Sequence, residues 1–375
     1  ENWPVLKKET LRQNPRAFVA DDCNIRKMYE EHTSGSTGKP LSLWLSRETV
    51  QKWYALFEAR WRRWYGLSRF DRWAILGGQL VVPYSQKKPP FWVWNWAFHQ
   101  LYMSSYHLSP DQIPFYLEAL KRFRIKYIYA YTSSVYALAQ EILRQERTDI
   151  KMVVILTNAE PLYEYQRQAI EKAFQCPVRE TYGMSEIVAD ASECRNGGLH
   201  LWPEVGMVEI LEEGLSVKPG KVGELICTGL LNADMPLIRY QVGDRGALSP
   251  ENFCTCRRTL PKLKMIEGRI DDLLFTADGR KVGRLDPVFK ANLPIKEAQI
   301  IQESLDVLTV RYIPAPGFSS KSKRIIARRL QERMGGVKVI FEEVDYLPRD
   351  SNGKFRAVVC KLPQEQIRSL RVSLT

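Results

Sequence analysis

The sequence predicts an α/β protein: a large N-terminal domain with mixed and parallel sheets and a β-rich subdomain, then a small α+β C-terminal domain. Three observations carry this. Short apolar, β-rich runs ("KYIYA", "MVVILT", "VRETYG") alternate with helical stretches in the first half of the chain. After Gly206 the texture changes to short strands and turns, and beyond Asp271 strand-like runs flank one basic amphipathic segment. Strands buried beneath crossover helices read in the first way, and small antiparallel sheets in the second.

Each element has a local reason. From Arg47 to Leu67, Val50, Trp53, Tyr54, Phe57, Trp61 and Trp64 form a helical stripe with Ser46 as the N-cap. "KYIYA" precedes a helical stretch at 134–145, "MVVILT" precedes one at 161–174, and "VRETYG" follows as a strand. "GMVEIL", "VGELICTG" and "RGALS" read as the strands of the β-rich subdomain. "DDLLFTADGRKV" reads as a hairpin turning at Asp278-Gly279, followed by the strands "EAQIIQ", "DVLTVRYI" and "VKVIFEEV". Ser319 to Met334 is a basic helix whose Ile325, Ile326, Leu330 and Met334 share one face. The domain boundary falls near Asp271, giving domains 1–270 and 271–375.

Bulk properties bound the function. With 375 residues, 45% apolar and 26% charged, the chain suits a globular protein of two or three domains. It starts at Glu1, as expected of a processed or truncated chain. It shows no secretory signal, and its most apolar aromatic stretch, Phe91 to Met103, is too short to span a bilayer, so no membrane insertion is expected. Seven cysteines, odd and sparse, argue against a disulfide framework and for a reducing cytoplasm. A net charge of +12 would suit steering of anionic small molecules, a solvated surface, or a polyanion-binding module without catalysis.

The densest chemistry lies in "TSGSTGKP", Thr33 to Pro40. A Walker A loop needs four residues between its glycines and a hydroxyl residue after the lysine. Here Gly35 and Gly38 are separated by two residues and Pro40 follows Lys39, so that reading fails. What remains is either a plain Ser/Thr/Gly loop or a backbone cradle for phosphate, with Lys39 adding charge.

The ordered motifs elsewhere resemble those of the adenylate-forming superfamily of acyl- and aryl-CoA synthetases, luciferases and adenylation domains. "TSGSTGKP" resembles its phosphate loop, "NAEPL" its adenine-facing segment, and "TYGMSE" its aromatic-Gly-x-Ser/Thr-Glu motif. "VGELICTG", "RYQVGD", "EGRIDD" and "LPRDSNGKFR" follow in the superfamily's order. "AEPL" before "YGMSE", the compact length and "CTCRRTLPKLKMIEGR" are most similar to the phenylacetate–CoA ligase branch, including its capsule- and polysaccharide-associated subgroup. Members of that branch usually carry more sequence before "WPVLKKETL".

The resemblance implies an AMP-forming ligase that activates a carboxylic acid with ATP and transfers the acyl group to CoA. A rival acceptor is an amine, a hydroxyl or a carrier-protein thiol. It implies that Thr33, Ser34, Gly35, Ser36, Thr37, Gly38 and Lys39 hold the β- and γ-phosphates, and that Glu186 holds Mg2+. Ala159, Glu160, Pro161, Thr181, Tyr182, Gly183, Met184 and Ser185 would surround the adenine, while Asp244 and Arg269 would hold the ribose. Lys354 would be the catalytic lysine of a mobile C-terminal domain hinged at Asp271. His99, Tyr131 and Ser133 are candidates for an acyl pocket suited to an aromatic or apolar acid. Cys194, His200, Cys254 and Cys256 make a tetrahedral zinc set or else unrelated thiols; some members of the branch hold structural zinc at equivalent places. No nucleic-acid partner is expected, and a homodimer is left open.

Overall fold

Buried strands and amphipathic helices alternate to build the first unit of the chain. The computed structural model describes residues 3–32, 41–79, 81–83, 86–109, 111–251, 253–269, 274–277, 281–282, 285–289, 293–349, 355–363 and 365–366. Five strands lie parallel in the spatial order Gln100–Ser104, Trp73–Gly77, Tyr127–Tyr131, Val154–Asn158 and Val178–Gly183. The side-chain period of two gives the sheet two apolar faces. Strand Tyr127–Tyr131 sends Ile128 and Ala130 into a cluster with Leu138 and Phe174, and Tyr127 and Tyr129 toward one with Phe57 and Trp61.

The helices fall where the apolar periodicity puts them, with ends set by local polar groups. Helix Arg47–Phe57 is capped by Ser46, whose hydroxyl accepts from Thr49 N at 3.2 Å. It widens into a π turn at Glu58–Arg62 and closes as a 3-10 turn ending at Gly66. Helix Thr132–Arg144 starts two residues before the expected position because the Glu160 carboxylate accepts from Ser133 N, satisfying a donor at its first turn. Helix Glu164–Phe174 starts three residues after Pro161, where Tyr163 N donates to the Gln166 side chain.

At Val178–Gly183 the sheet changes character. Its first half pairs parallel with Val154–Asn158, and its second half pairs antiparallel with Asp190–Glu193. The sheet continues through Leu199–Leu201, Lys262–Arg269, Tyr240–Leu248, Gly223–Gly229, Gly206–Glu212 and Leu215–Ser216, so that thirteen strands form one sheet among the described residues. The β-rich region is therefore an extension of the main sheet. The N-terminal segment zips onto it: Leu6 N donates to Arg239 O and Gln241 N to Leu6 O, each at 2.9 Å.

A second compact unit begins at Glu267. Its four-stranded sheet runs Lys338–Glu343, Val307–Pro314, Ile295–Ser304 and Val358–Cys360. The basic stretch is helix Ser320–Met334, whose Ile326, Leu330 and Met334 enter this unit's core beside Ile300 and Val310. Leu274–Phe275 pairs antiparallel with Lys281–Val282, while the expected turn at Asp278-Gly279 lies outside the described residues. Among the described residues no helix is long and apolar enough to cross a membrane.

Candidate active site

The change from parallel to antiparallel pairing places "TYGMSE" at the carboxyl edge of the parallel strands, where open α/β sheets form crevices. Thr181 Oγ1 donates to Thr157 O at 2.9 Å, tying the motif to the neighbouring strand. Gly183 pairs with Asp190, and a Cβ at Gly183 would meet Asp190 Oδ1 at 2.1 Å, so any larger residue would have to displace that carboxylate. Met184 to Ile187 then turn tightly, Ile187 N donating to Met184 O at 3.0 Å. Ile187 has φ 50°, an unusual conformation for a β-branched residue. That turn buries the Glu186 carboxylate.

Glu186 Oε1 accepts from Tyr240 OH at 2.8 Å and from Lys8 Nζ at 3.0 Å. Burial, then the nearby Glu186 charge, pushes the Tyr240 phenol pKa up, so it stays a donor. Lys8 remains partly open to solvent while the Glu186 side chain is nearly closed off. Thus a carboxylate expected to hold a metal ion already carries an ammonium, brought by the helix Lys8–Gln13 behind the Leu6 contact.

One strand supplies both Tyr240 and Asp244. Between them the pairing with Gly223–Gly229 is interrupted, and Gly243 takes φ 87°, which glycine adopts without strain. The irregularity brings Asp244 Oδ2 within 2.8 Å of the Tyr182 hydroxyl, which donates to it. Burial and then the Asp244 charge push the Tyr182 phenol pKa well up. Tyr182 with Asp244, and Tyr240 with Glu186 and Lys8, therefore form two hydrogen-bonded groups drawn from three chain segments.

"NAEPL" closes another side. Ala159 has φ 61°, Glu160 N donates to Asn158 O, and the Glu160 carboxylate accepts from Ser133 N at 2.6 Å and Ser133 Oγ at 2.9 Å. Ser133 is thus engaged at a helix start with Glu160, while Tyr131 lines a cavity together with Tyr102, Tyr129 and Asn158. His99 lies at the amino end of its strand, its carbonyl accepting from Trp73 N, so it does not join that cavity. Thr33, Ser34, Gly35, Ser36, Thr37, Gly38, Lys39, Asp271 and Lys354 lie outside the described residues, as does the Arg269 side chain.

The cysteine and histidine set does come together. Antiparallel pairing of Leu199–Leu201 with Lys262–Arg269 and with Asp190–Glu193 gathers Cys194, His200, Cys254 and Cys256, with all four donor atoms within 4.8 Å of one another. Cys194 Sγ and Cys254 Sγ are 3.8 Å apart. Two thiolates on one tetrahedral zinc, with bonds of about 2.3 Å, would be separated by about 3.8 Å. His200 Nδ1 donates to Leu260 O at 3.2 Å and turns Nε2 toward Cys256 Sγ, also at 3.2 Å. The hydrogen bond to Leu260 O fixes the tautomer a metal at Nε2 would need. Burial holds the imidazole pKa below its usual value, favouring the neutral form that ligates.

Sequence reasoning missed Lys8 and Asp190, and gave Tyr240 and Asn158 no role of their own within "RYQVGD" and "NAEPL". Lys8 reads as one of two adjacent surface lysines, and only the long-range Leu6 bridge gives it a place.

A family model described as the CapK C-terminal domain matches residues 274–361. The chain is 28% identical to Protein CapK of Staphylococcus aureus over 95% of its length and 79% of that protein. It is 26% identical to the phenylacetate-coenzyme A ligase of Thermus thermophilus, over 64% of this chain and 61% of that ligase. A crystal structure of 2-hydroxyisobutyryl-CoA ligase in its postadenylation state, with R3-HIB-AMP, superposes with a TM-score of 0.72 at 19% identity, covering 99% of this chain and 82% of that one. O-succinylbenzoate coenzyme A synthetase of Bacillus subtilis, solved with AMP, gives a TM-score of 0.56 at 18% identity, covering 88% and 67%. These structural likenesses establish the fold.

Proposed function

We propose that this chain, a homologue of CapK and of phenylacetate–CoA ligases with the fold of adenylate-forming CoA ligases, is an AMP-forming acid–thiol ligase. It activates a carboxylic acid with ATP and passes the acyl group to CoA. The carrying observation is that the same two segments supply both the Tyr182–Asp244 pair and the Tyr240–Glu186 pair, the latter joined by Lys8, at the carboxyl edge of the parallel strands.

The chemistry explains the need for such a group. A carboxylate is a poor acyl donor because oxide is a poor leaving group. Its oxygen attacks the α-phosphorus of ATP, the bond to the bridging oxygen breaks, and pyrophosphate leaves. The thiol then attacks the acyl carbon and AMP leaves. Both partners of the first step are anions, so cations must offset their repulsion in a site sheltered from water. Mg2+ supplies such charge when bound, and Glu186 is the residue we assign to hold it. Until the metal displaces it, Lys8 holds an ammonium against that carboxylate. In this reading Asp244 and Arg269 accept and donate at the ribose, and the Tyr182 ring with Ala159, Glu160 and Pro161 meets adenine. Thr33 to Lys39 meets the outer phosphates, and Lys354 bridges carboxylate and α-phosphate. Cys194, His200, Cys254 and Cys256 would hold one zinc ion, which would cross-link two strands near the site without taking part in the reaction.

The test is acid-dependent release of pyrophosphate from ATP, followed with and without CoA. Loss of the bound acyl-AMP on addition of CoA supports thiol transfer. Acyl-AMP that persists with CoA but is consumed by an amine or a carrier protein would replace the acceptor. Tight, salt-sensitive DNA binding without pyrophosphate release would replace the whole reading with polyanion binding.

A further inference from the structure

The loops at the amino ends of the parallel strands carry aromatic rings and cations, at the edge opposite the crevice. The turn joining Trp92–Asn95 to Gln100–Ser104 presents Trp96 and Phe98, and the turn before Trp73–Gly77 presents Phe70. Their exposures of 80%, 54% and 68% are high for rings of this size, which folding ordinarily buries. The tip is held in place. Asn95 Oδ1 accepts from Ala97 N at 3.1 Å, and Phe98 O accepts from Trp73 Nε1 at 3.0 Å. Phe98 stacks on Tyr54 with centroids 6.3 Å apart, and Trp96 meets Trp94 edge-on at 6.0 Å. The exposed rings are therefore pre-organised, and a surface that receives them has little left to order.

Cations frame these rings. Arg69 lies over Phe70 at 4.9 Å, Arg72 over Trp94 at 5.8 Å, and Arg122 over Phe123 at 5.9 Å. Phe123 stacks on Trp94 at 5.0 Å, so the face runs unbroken from the hairpin tip to the end of helix Ile113–Arg122. Arg69, Arg72, Arg122 and Arg124 make no ion pair among the described residues. Of the carboxylates in the adjoining loops, Asp71 is held by Lys126, and Asp149 by Lys121 and Arg147. Only Glu146 has no such partner among the described residues. Positive charge thus stands beside bare aromatic rings.

We propose that this chain docks peripherally on anionic phospholipid bilayers through Phe70, Trp96 and Phe98, with Arg69, Arg72 and Arg122 on the lipid phosphates. Charge complementarity selects an anionic surface, and the rings select one with an apolar interior. Aromatic side chains settle at the boundary between headgroups and acyl chains. Arginine stems lie along apolar surface while their guanidinium groups reach anionic headgroups. A hairpin tip projects, and a projecting ring enters a yielding surface more readily than it matches a rigid one. The net charge of +12 draws the whole chain toward such a surface. The crevice at the carboxyl edge faces away from the lipid in this pose, so the contact is independent of the ligase reading.

The experiment sediments the full chain with phosphatidylcholine vesicles, with and without about one-third phosphatidylglycerol. Binding to the anionic vesicles should exceed binding to the neutral ones by about tenfold or more, and weaken as salt rises from about 0.1 M to about 0.5 M. Arg69→Gln with Arg122→Gln should lower it by about tenfold or more, and so should Trp96→Ser with Phe98→Ser. Brominated lipid should quench wild-type tryptophan fluorescence, and Trp96→Phe should lose most of that quenching while still binding. The wild-type binding and quenching decide the matter if a variant does not fold. Equal binding to both vesicles, or binding to neither, overturns the proposal. Anionic binding without quenching, unchanged in Trp96→Ser with Phe98→Ser, overturns it in favour of a plain polyanion surface. Self-association without vesicle binding, abolished by the same two changes, overturns it in favour of a second copy on this face. Pyrophosphate release enters none of these readouts, so the ligase reading stands or falls separately.

Discussion

The Tyr182 hydroxyl donates to Asp244 Oδ2 across 2.8 Å, joining the glycine-bearing end of one strand to the interrupted pairing of another. If Tyr182 stacks on adenine and Asp244 holds the ribose, this bond sets the spacing of the two halves of the nucleoside. Tyr182→Phe keeps the ring and removes this donor from the carboxylate. The KM for ATP should rise roughly tenfold or more, the equivalent of one hydrogen bond to a charged group, with a smaller change in kcat. An unchanged KM would separate the pair from nucleotide binding.

Lys8 competes with any metal for the Glu186 carboxylate. An ammonium 3.0 Å from Oε1 must shift before Mg2+ can bind there. Lys8→Met should therefore lower the Mg2+ concentration that gives half-maximal activity. A higher requirement would mean that Lys8 assists the metal site.

Zinc can be counted directly. Elemental analysis of chelator-free protein should find one zinc per chain. Cys254→Ser should lose most of it and lower Tm by roughly 5 °C or more. Absence of zinc from the wild type would leave the four donors as reduced thiols.

Asp190 makes a pH signature. Its carboxyl is buried beside Gly183 and accepts from Trp53 Nε1 at 3.1 Å. Burial raises its pKa to about 8, against a small lowering by the Trp53 hydrogen bond. A carboxyl with a raised folded pKa binds its proton more tightly when folded. Its contribution to stability is full below the unfolded pKa near 3.8 and is lost as pH rises toward about 8. Asp190→Asn keeps the acceptor for Trp53 and cannot ionise. The stability of wild type relative to Asp190→Asn, read by denaturant melts, should fall between pH 5 and pH 8, by an upper limit of about 4 kcal/mol. A flat difference would mean that Asp190 ionises freely in the fold.

Much of the fold was legible because apolar period and caps are local. Ser46 caps its helix, and "KYIYA", "MVVILT" and "VRETYG" are adjacent strands. Gly183 was legible as a motif residue, though its reason, the Asp190 oxygen where a Cβ would stand, is tertiary. What local pattern could not carry was pairing between distant strands. The β-rich region joins the main sheet through Asp190–Glu193 and Leu199–Leu201, and that same pairing turns four scattered cysteine and histidine residues into one cluster. Lys8 owes its place to a two-hydrogen-bond bridge at Leu6, which leaves no periodic mark. His99 shows the converse: an aromatic segment drew attention to it, while strand direction sends it to the amino end, away from the cavity.

The most direct measurement is acid-dependent exchange of labelled pyrophosphate into ATP, across an acid panel, for wild type, Glu186→Gln and Lys354→Ala. Adenylate chemistry at this site requires exchange in the wild type with at least one acid, and a loss of about a hundredfold or more in each variant while the fold is retained. Exchange that persists in both variants, or wild-type protein that exchanges with no acid, would contradict it.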